Sequence, residues 1–234
     1  MEGRLSLRIA AVAAVGLACA GAPPGGGTER AAPAFSPSRL ANERVAVLSP
    51  GEIDLPDSLP ATIDEDSLEE ALLGYAGDAL AAALSRTGAA GRITPPAELA
   101  PELEAAGPAL LERVRDALSL ARDRGTLDRA AERDLETLRR RTGTRFLLVP
   151  RSLRLAIADP LVAEAALTVD LVDAGAGRVA WSADVAGTND LPPAGGAEDL
   201  FAAALRKAVG AAAERAVSRL TASGEPEDFE STTP

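Results

Sequence analysis

A change of hydrophobic period at Gly143 constrains this chain more than any other feature. In residues 97–142 before it, apolar residues recur every three or four positions, and in the segments that follow directly they recur every two. Leu153, Leu155 and Ile157 alternate with Ser152, Arg154 and Ala156, and Leu167, Val169 and Leu171 alternate with Thr168, Asp170 and Val172. After the turn Asp173-Ala174-Gly175-Ala176-Gly177 the same pattern returns as Val179, Trp181, Ala183 and Val185. A period of two sends successive side chains to opposite sides of a sheet. These runs, entered by Phe146-Leu147-Leu148-Val149 and bent at Asp159-Pro160, predict an antiparallel meander with one oily face.

The remaining periodic segments predict what covers that face. Arg44-Val45-Ala46-Val47-Leu48, closed by Ser49-Pro50-Gly51, reads as a buried strand. Ser67 with Glu70 forms a capping box, after which Leu68, Leu72, Ala76, Leu80 and Leu84 make a helical stripe that ends at Gly88. Arg92-Ile93-Thr94 suits a second strand, placed beside the first by the right-handedness of strand–helix–strand units. Residues 97–142 read as a helical insert broken at Gly107-Pro108 and Gly125, with Leu110, Val114, Leu118 and Ala121, then Leu127, Ala131, Leu135 and Leu138, facing inward. A last helix over about residues 197–220 aligns Phe201, Leu205, Ala208, Ala212, Ala216 and Leu220. The expected class is α+β, with a mixed, largely antiparallel sheet and helices packed mainly on one face.

The ends of the chain have another character. Arg4 and Arg8 precede an apolar run over residues 9–18, the charged and hydrophobic regions of an exported leader. As a helix that run spans only about 15 Å, half of a hydrocarbon core. Cys19, the one cysteine, stands where the run ends. Val15-Gly16-Leu17-Ala18-Cys19 resembles the lipobox of bacterial lipoprotein precursors, which implies a signal peptide over residues 1–18 and lipid attachment at Cys19. Stable anchoring then comes from buried acyl chains at about 0.8 kcal/mol per methylene. Residues 19–42, rich in Ala, Gly, Pro, Ser and Thr, are expected to be a flexible tether with a reach of about 25 Å. Residues 43–222 then form a single α+β domain that includes the helical insert 97–142, and residues 223–234 form a disordered acidic tail.

Composition excludes several kinds of chemistry. The formal net charge is −11, and becomes −12 once residues 1–18, with two arginines and one glutamate, are removed. Such a surface repels phosphate backbones, so no nucleic-acid partner is expected. The chain has no histidine and no second cysteine, which removes Ser-His triads, Cys-His pairs, the usual zinc sites and internal disulfides. There is no G-x-S-x-G. Asp64-Glu65-Asp66 with Glu69 and Glu70 lacks the spacing of a calcium loop and is explained by a helix entry, as Arg139-Arg140-Arg141 is by a helix exit. Asp170, Asp173 and Asp184 are the candidate acid–base carboxylates, but strand alternation puts Asp170 and Asp184 opposite the oily stripe, where they are expected to be solvated. Trp181 shares its expected face with Val179 and Val185 and reads as core. Arg151 and Arg154, near the edge of the sheet, are the candidate partner contacts. No catalytic residue, cofactor or metal ligand is assigned.

The order of elements resembles a group that includes the amino-terminal domain of TolB, the curli secretion lipoprotein CsgG and LpoB-type lipoprotein activators of peptidoglycan synthases. The likeness rests on the strand at Arg44-Val45-Ala46-Val47-Leu48, the helix ending in Arg86-Thr87-Gly88, and Thr142-Gly143-Thr144-Arg145-Phe146-Leu147-Leu148-Val149. It continues through Val169-Asp170-Leu171-Val172-Asp173 and Gly177-Arg178-Val179-Ala180-Trp181-Ser182. This resemblance implies a periplasmic, non-catalytic protein that assembles or regulates envelope machinery, lipid-anchored and facing the periplasm, with Ala20 after the cysteine favouring the outer membrane. Oligomerisation is left open. The alternatives are a structural subunit of a secretion or transport complex and a carboxylate-dependent secreted hydrolase.

Overall fold

The computed structural model describes residues 28–32, 35–57, 59–124, 127–159, 162–191 and 198–223. The elements follow in the order β1 (Glu29–Ala31), a short 3-10 helix (Pro37–Leu40), β2 (Arg44–Val47), β3 (Glu52–Asp54), α1 (Glu65–Thr87) and β4 (Arg92–Thr94). Then come α2 (Pro96–Ala106), α3 (Pro108–Arg124), α4 (Arg129–Thr142), β5 (Phe146–Asp159), β6 (Val162–Asp173), β7 (Arg178–Asp190) and α5 (Glu198–Ala222). The strands build one sheet in the order β1-β7-β6-β5-β2-β4, with β3 beside the second half of β5. β2 runs parallel to β4 and β5, while β5, β6 and β7 form the antiparallel meander. The α+β class and the mixed, largely antiparallel sheet are those the periodicity predicts.

The helices stand on both faces of the sheet rather than mainly on one. Val45, Val47, Phe146 and Leu148 join α1 and α5 in one core, whereas Ala46, Leu48, Leu147 and Val149 join α2, α3 and α4 in a second core on the opposite face. The cause is visible in the composition of β2 and the start of β5. Both are continuous apolar runs, and a strand with no polar face must be covered twice. Farther along, the meander alternates, and only its α1/α5 face is oily.

Two bulges adjust which residues reach each core. The β5–β6 register shifts between Pro150 and Ser152, so Phe146 and Leu148 before the shift face the same core as Leu153 and Leu155 after it. Another shift on β6–β7 pairs Leu171 with Trp181 but Val172 with Val179. Val179 therefore packs in the α2–α4 core, not beside Trp181 and Val185 as strict alternation implies. Trp181 is core as expected, at 1% exposure, and its indole N–H donates to Glu29 Oε1 at 2.9 Å.

Local signals set the helix limits. Asp64, not Ser67, caps α1: its carboxylate accepts from Ser67 N at 3.3 Å and also from the Ser67 hydroxyl. Ser67, three residues after the aspartate, carries one of the first-turn amides that lack an intrahelical acceptor, and the aspartate's charge complements the helix dipole. Asp128 caps α4 in the same way, accepting from Ala130 N and Ala131 N. Gly88 and Gly143 end α1 and α4 at φ 64° and 62°, left-handed positions where a side chain is disfavoured.

Within the expected tether of residues 19–42, residues 28–32 and 35–42 belong to the fold. β1 pairs with β7, the short 3-10 helix follows, and Phe35 and Leu40 are buried at 8% and 0% exposure. Two large apolar side chains in a Pro-rich stretch dock on the α1/α5 core, which composition averages conceal. The leader, Cys19 and residues 19–27, like the expected tail from residue 224 on, lie outside the described residues. Among the described residues, no helix is long and apolar enough to cross a membrane.

Candidate functional site

The β5 bulge faces α3 across a polar cavity of about 330 Å³. Leu110, Val114, Leu118 and Ala121 bury one side of α3. Glu112, Arg115, Asp116 and Ser119, spaced three and four residues apart, form the adjoining stripe that lines the cavity. The bulge contributes two successive side chains, Arg151 and Ser152, which regular strand alternation would send to opposite faces. Gly51 from the β2–β3 connection, Glu52 of β3 and Thr168 of β6 complete the wall.

Two arginines form its inner part. Arg115 donates from Nη2 to the carbonyl oxygens of Ser49 at 2.7 Å and Pro50 at 3.3 Å, tying α3 to the β2–β3 connection. It fits because Gly51 has no side chain: a Cβ there would lie 2.6 Å from Arg115 Cδ. Burial lowers the Arg115 pKa from its ordinary value, with Glu112 opposing the shift. Its Nε is buried without a hydrogen bond.

Arg151 lies at the bulge with its side chain 10% exposed, and its Nε is 2.7 Å from Oδ2 of Asp170, whose side chain is 2% exposed. The approach is an ion contact without hydrogen-bond direction, so Nε and Nη2 of Arg151 are both buried without a hydrogen bond. A guanidinium carries five donors, and each buried donor left unmade costs about 1–3 kcal/mol. Asp170 also accepts from the hydroxyl of Ser182. Both arginines thus retain bonding capacity beside an open space.

The candidate residues from the sequence divide accordingly. Arg151 is turned inward to Asp170 rather than standing on a solvated strand face, because the bulge rotates it toward the cavity. Arg154 is 74% exposed and pairs with Asp54 of β3 at 3.0 Å. Asp170 lies opposite the oily stripe as alternation requires, but α3 covers that face and leaves it buried rather than solvated. Asp184 is half-buried and accepts from the hydroxyls of Thr28 at 2.6 Å and Thr168 at 2.8 Å. Asp173 is buried in a two-pronged pair with Arg145, whose Nε and Nη2 each lie 3.0 Å from it. Arg115 carried no sequence signal, because its partners Ser49, Pro50 and Gly51 are distant in the chain. Among the described residues no cluster of three His, Cys, Asp or Glu side chains could hold a metal ion.

Beyond the cavity, the α3 side of the meander is only partly covered. Arg154, Ala166 and Ala186 form one cross-strand row there, and Ala156, Glu164 and Thr188 form the next. All six are half-buried or exposed. This is a shallow surface of small and charged side chains beside the arginine cavity.

No protein-family model matches this chain, and no curated protein matches it. Among solved structures it is similar to the PelC dodecamer from Paraburkholderia phytofirmans, at 17% identity over 86% of this chain and 99% of that chain, with a TM-score of 0.37. It is also similar to the lipoprotein GNA1162 from Neisseria meningitidis, at 14% identity over 68% of this chain and 90% of that one, TM-score 0.33. LpoB from E. coli shows 12% identity over 81% of this chain and 84% of that one, TM-score 0.31. Scores of this size carry no argument about function or partners.

Proposed function

We propose that this protein is a lipid-anchored component of the cell envelope whose single α+β domain binds another envelope protein without catalysis. The observation that carries the reading is the position of Cys19, directly after the leader-like run and nine residues before Thr28, the first described residue. Thr28 is fixed to the sheet by its carbonyl, which accepts from Asp184 N at 2.9 Å, and by its hydroxyl on Asp184. Nine residues reach about 30 Å at full extension, and about 17 Å on average as a flexible coil. Lipid at Cys19 therefore holds the β1/β7 side of the domain close to the bilayer, and the partly covered face of the meander is left for a partner.

A non-catalytic role is supported by what the carboxylates already do. Asp170 is held by Arg151 and Ser182, Asp173 by Arg145, and Asp184 by Thr28 and Thr168. Each of these carboxylates already has partners within the fold. The outer membrane, facing the periplasm, is the proposed location.

Metabolic labelling of cells with a palmitate analogue tests the anchor. The wild-type chain takes up label and sediments with membranes, and Cys19→Ala does neither. Equal labelling and equal membrane association of Cys19→Ala would overturn the reading.

A further inference from the structure

The cavity between α3 and the β5 bulge has a charge arrangement that selects a type of ligand. Arg151 is nine-tenths buried; its Nε already faces Asp170, its Nη2 makes no hydrogen bond, and neither does the Nε of Arg115. Three carboxylates, Glu52, Glu112 and Asp116, are exposed at the mouth. The inner guanidiniums call for an acceptor such as a carboxylate. The acidic mouth lies within a Debye length of any group bound inside, so it opposes a bare anion and attracts a cation. One small molecule satisfies both if it carries a carboxylate and an ammonium a few bonds apart. The space of about 330 Å³ lies at the small end of the range for ligand pockets.

We propose that this cavity binds a small zwitterion, an α-amino acid, with its carboxylate toward Arg115 and Arg151 and its ammonium at Glu112 and Asp116. Ser152 and Thr168 also line the cavity: the Ser152 hydroxyl can donate or accept, and the Thr168 hydroxyl, whose proton goes to Asp184, can accept. The site stands whether or not Cys19 is acylated, because every residue in it belongs to the folded domain.

Isothermal titration calorimetry on the full chain, with each common α-amino acid, acetate, methylammonium and inorganic phosphate as separate probes, tests this. At least one amino acid binds, and acetate and methylammonium bind it at least about tenfold more weakly, since each engages one end only. The double variant Glu112→Gln/Asp116→Asn weakens the amino acid and tightens acetate. Arg151→Gln weakens the amino acid by about tenfold or more. Because that change strands Asp170, Ser119→Trp at the exposed mouth serves as the second variant: it blocks binding with the unfolding midpoint unchanged. The proposal fails if no probe binds, if phosphate or acetate binds as tightly as every amino acid, or if Ser119→Trp binds like the parent.

Discussion

Gly187→Ala isolates the contact that seats α5 on the sheet. A Cβ on Gly187 of β7 would lie 2.2 Å from the carbonyl oxygen of Ala208 and 2.3 Å from the amide nitrogen of Ala212. Ordinary contact needs about 3.5 Å, so helix and strand must part locally by roughly 1 Å. The obstructing atoms are helix backbone, which no rotamer change can move. Ala204, Ala208, Ala212 and Ala216 are all buried along α5. That stripe of alanines and Gly187 let helix and sheet approach closely, and dispersion contacts depend steeply on that distance. Overpacking in a core costs about 1–3 kcal/mol, and an immovable obstacle places this case near the upper end. For a domain of this size, 1 kcal/mol corresponds to about 2–4 °C, so Tm falls by roughly 4–12 °C. Differential scanning calorimetry of the full chain measures it. Gly74→Ala is the control: Gly74 is exposed in α1 with nothing within 4 Å of an added Cβ, and the change stabilises by about 0.5–1 kcal/mol. A Gly187→Ala protein that melts at or above the parent's temperature would refute the close-packing argument.

Asp64→Ala removes the cap of α1 and lowers stability by about 1 kcal/mol, read as a lower urea midpoint at unchanged slope; an unchanged midpoint would assign the cap elsewhere. Burial pushes the Asp173 carboxyl up, but hydrogen bonding and attraction from Arg145 outweigh this and hold it below its ordinary 3.8. A depressed carboxylate contributes stability present above its unfolded pKa and lost as pH falls through its folded pKa, so the parent loses stability below about pH 4 and Asp173→Asn shows a shallower acid limb. Equal acid limbs in pH-dependent denaturation would contradict the pair. Trp181, the one tryptophan, emits at short wavelength and resists iodide quenching, while Glu29→Ala leaves its N–H without a partner and costs about 1–3 kcal/mol. Quenching like that of free tryptophan would place the indole outside the core.

Periodicity made the meander, the helical insert and the strand–helix–strand unit at residues 44–94 legible, because each has several apolar residues at one spacing. Features that depend on one residue were not legible. The bulges at Arg151 and Ala180 change the parity of their strands, and nothing nearby marks them, so Val179 moved to the opposite core and Arg151 turned inward. β1 is three residues, Glu29–Ala31, too short for a period, and is held by β7 and the Trp181 indole. Two-sided burial was present in the unbroken runs Val45-Ala46-Val47-Leu48 and Phe146-Leu147-Leu148-Val149, although the stripe on α3 does not say which face it covers. Arg115 and Gly51 meet only through the tertiary fold, so half of the candidate site was hidden from any local reading.

On the function proposed, a lipid at residue 19 holds this folded domain at a membrane. Mass spectrometry of the amino-terminal peptide of the native protein, isolated from membranes of its own cells, tests it most directly. The expected result is a peptide that begins at Cys19 and carries acyl chains. A soluble native protein whose first residue lies beyond Cys19 would contradict it.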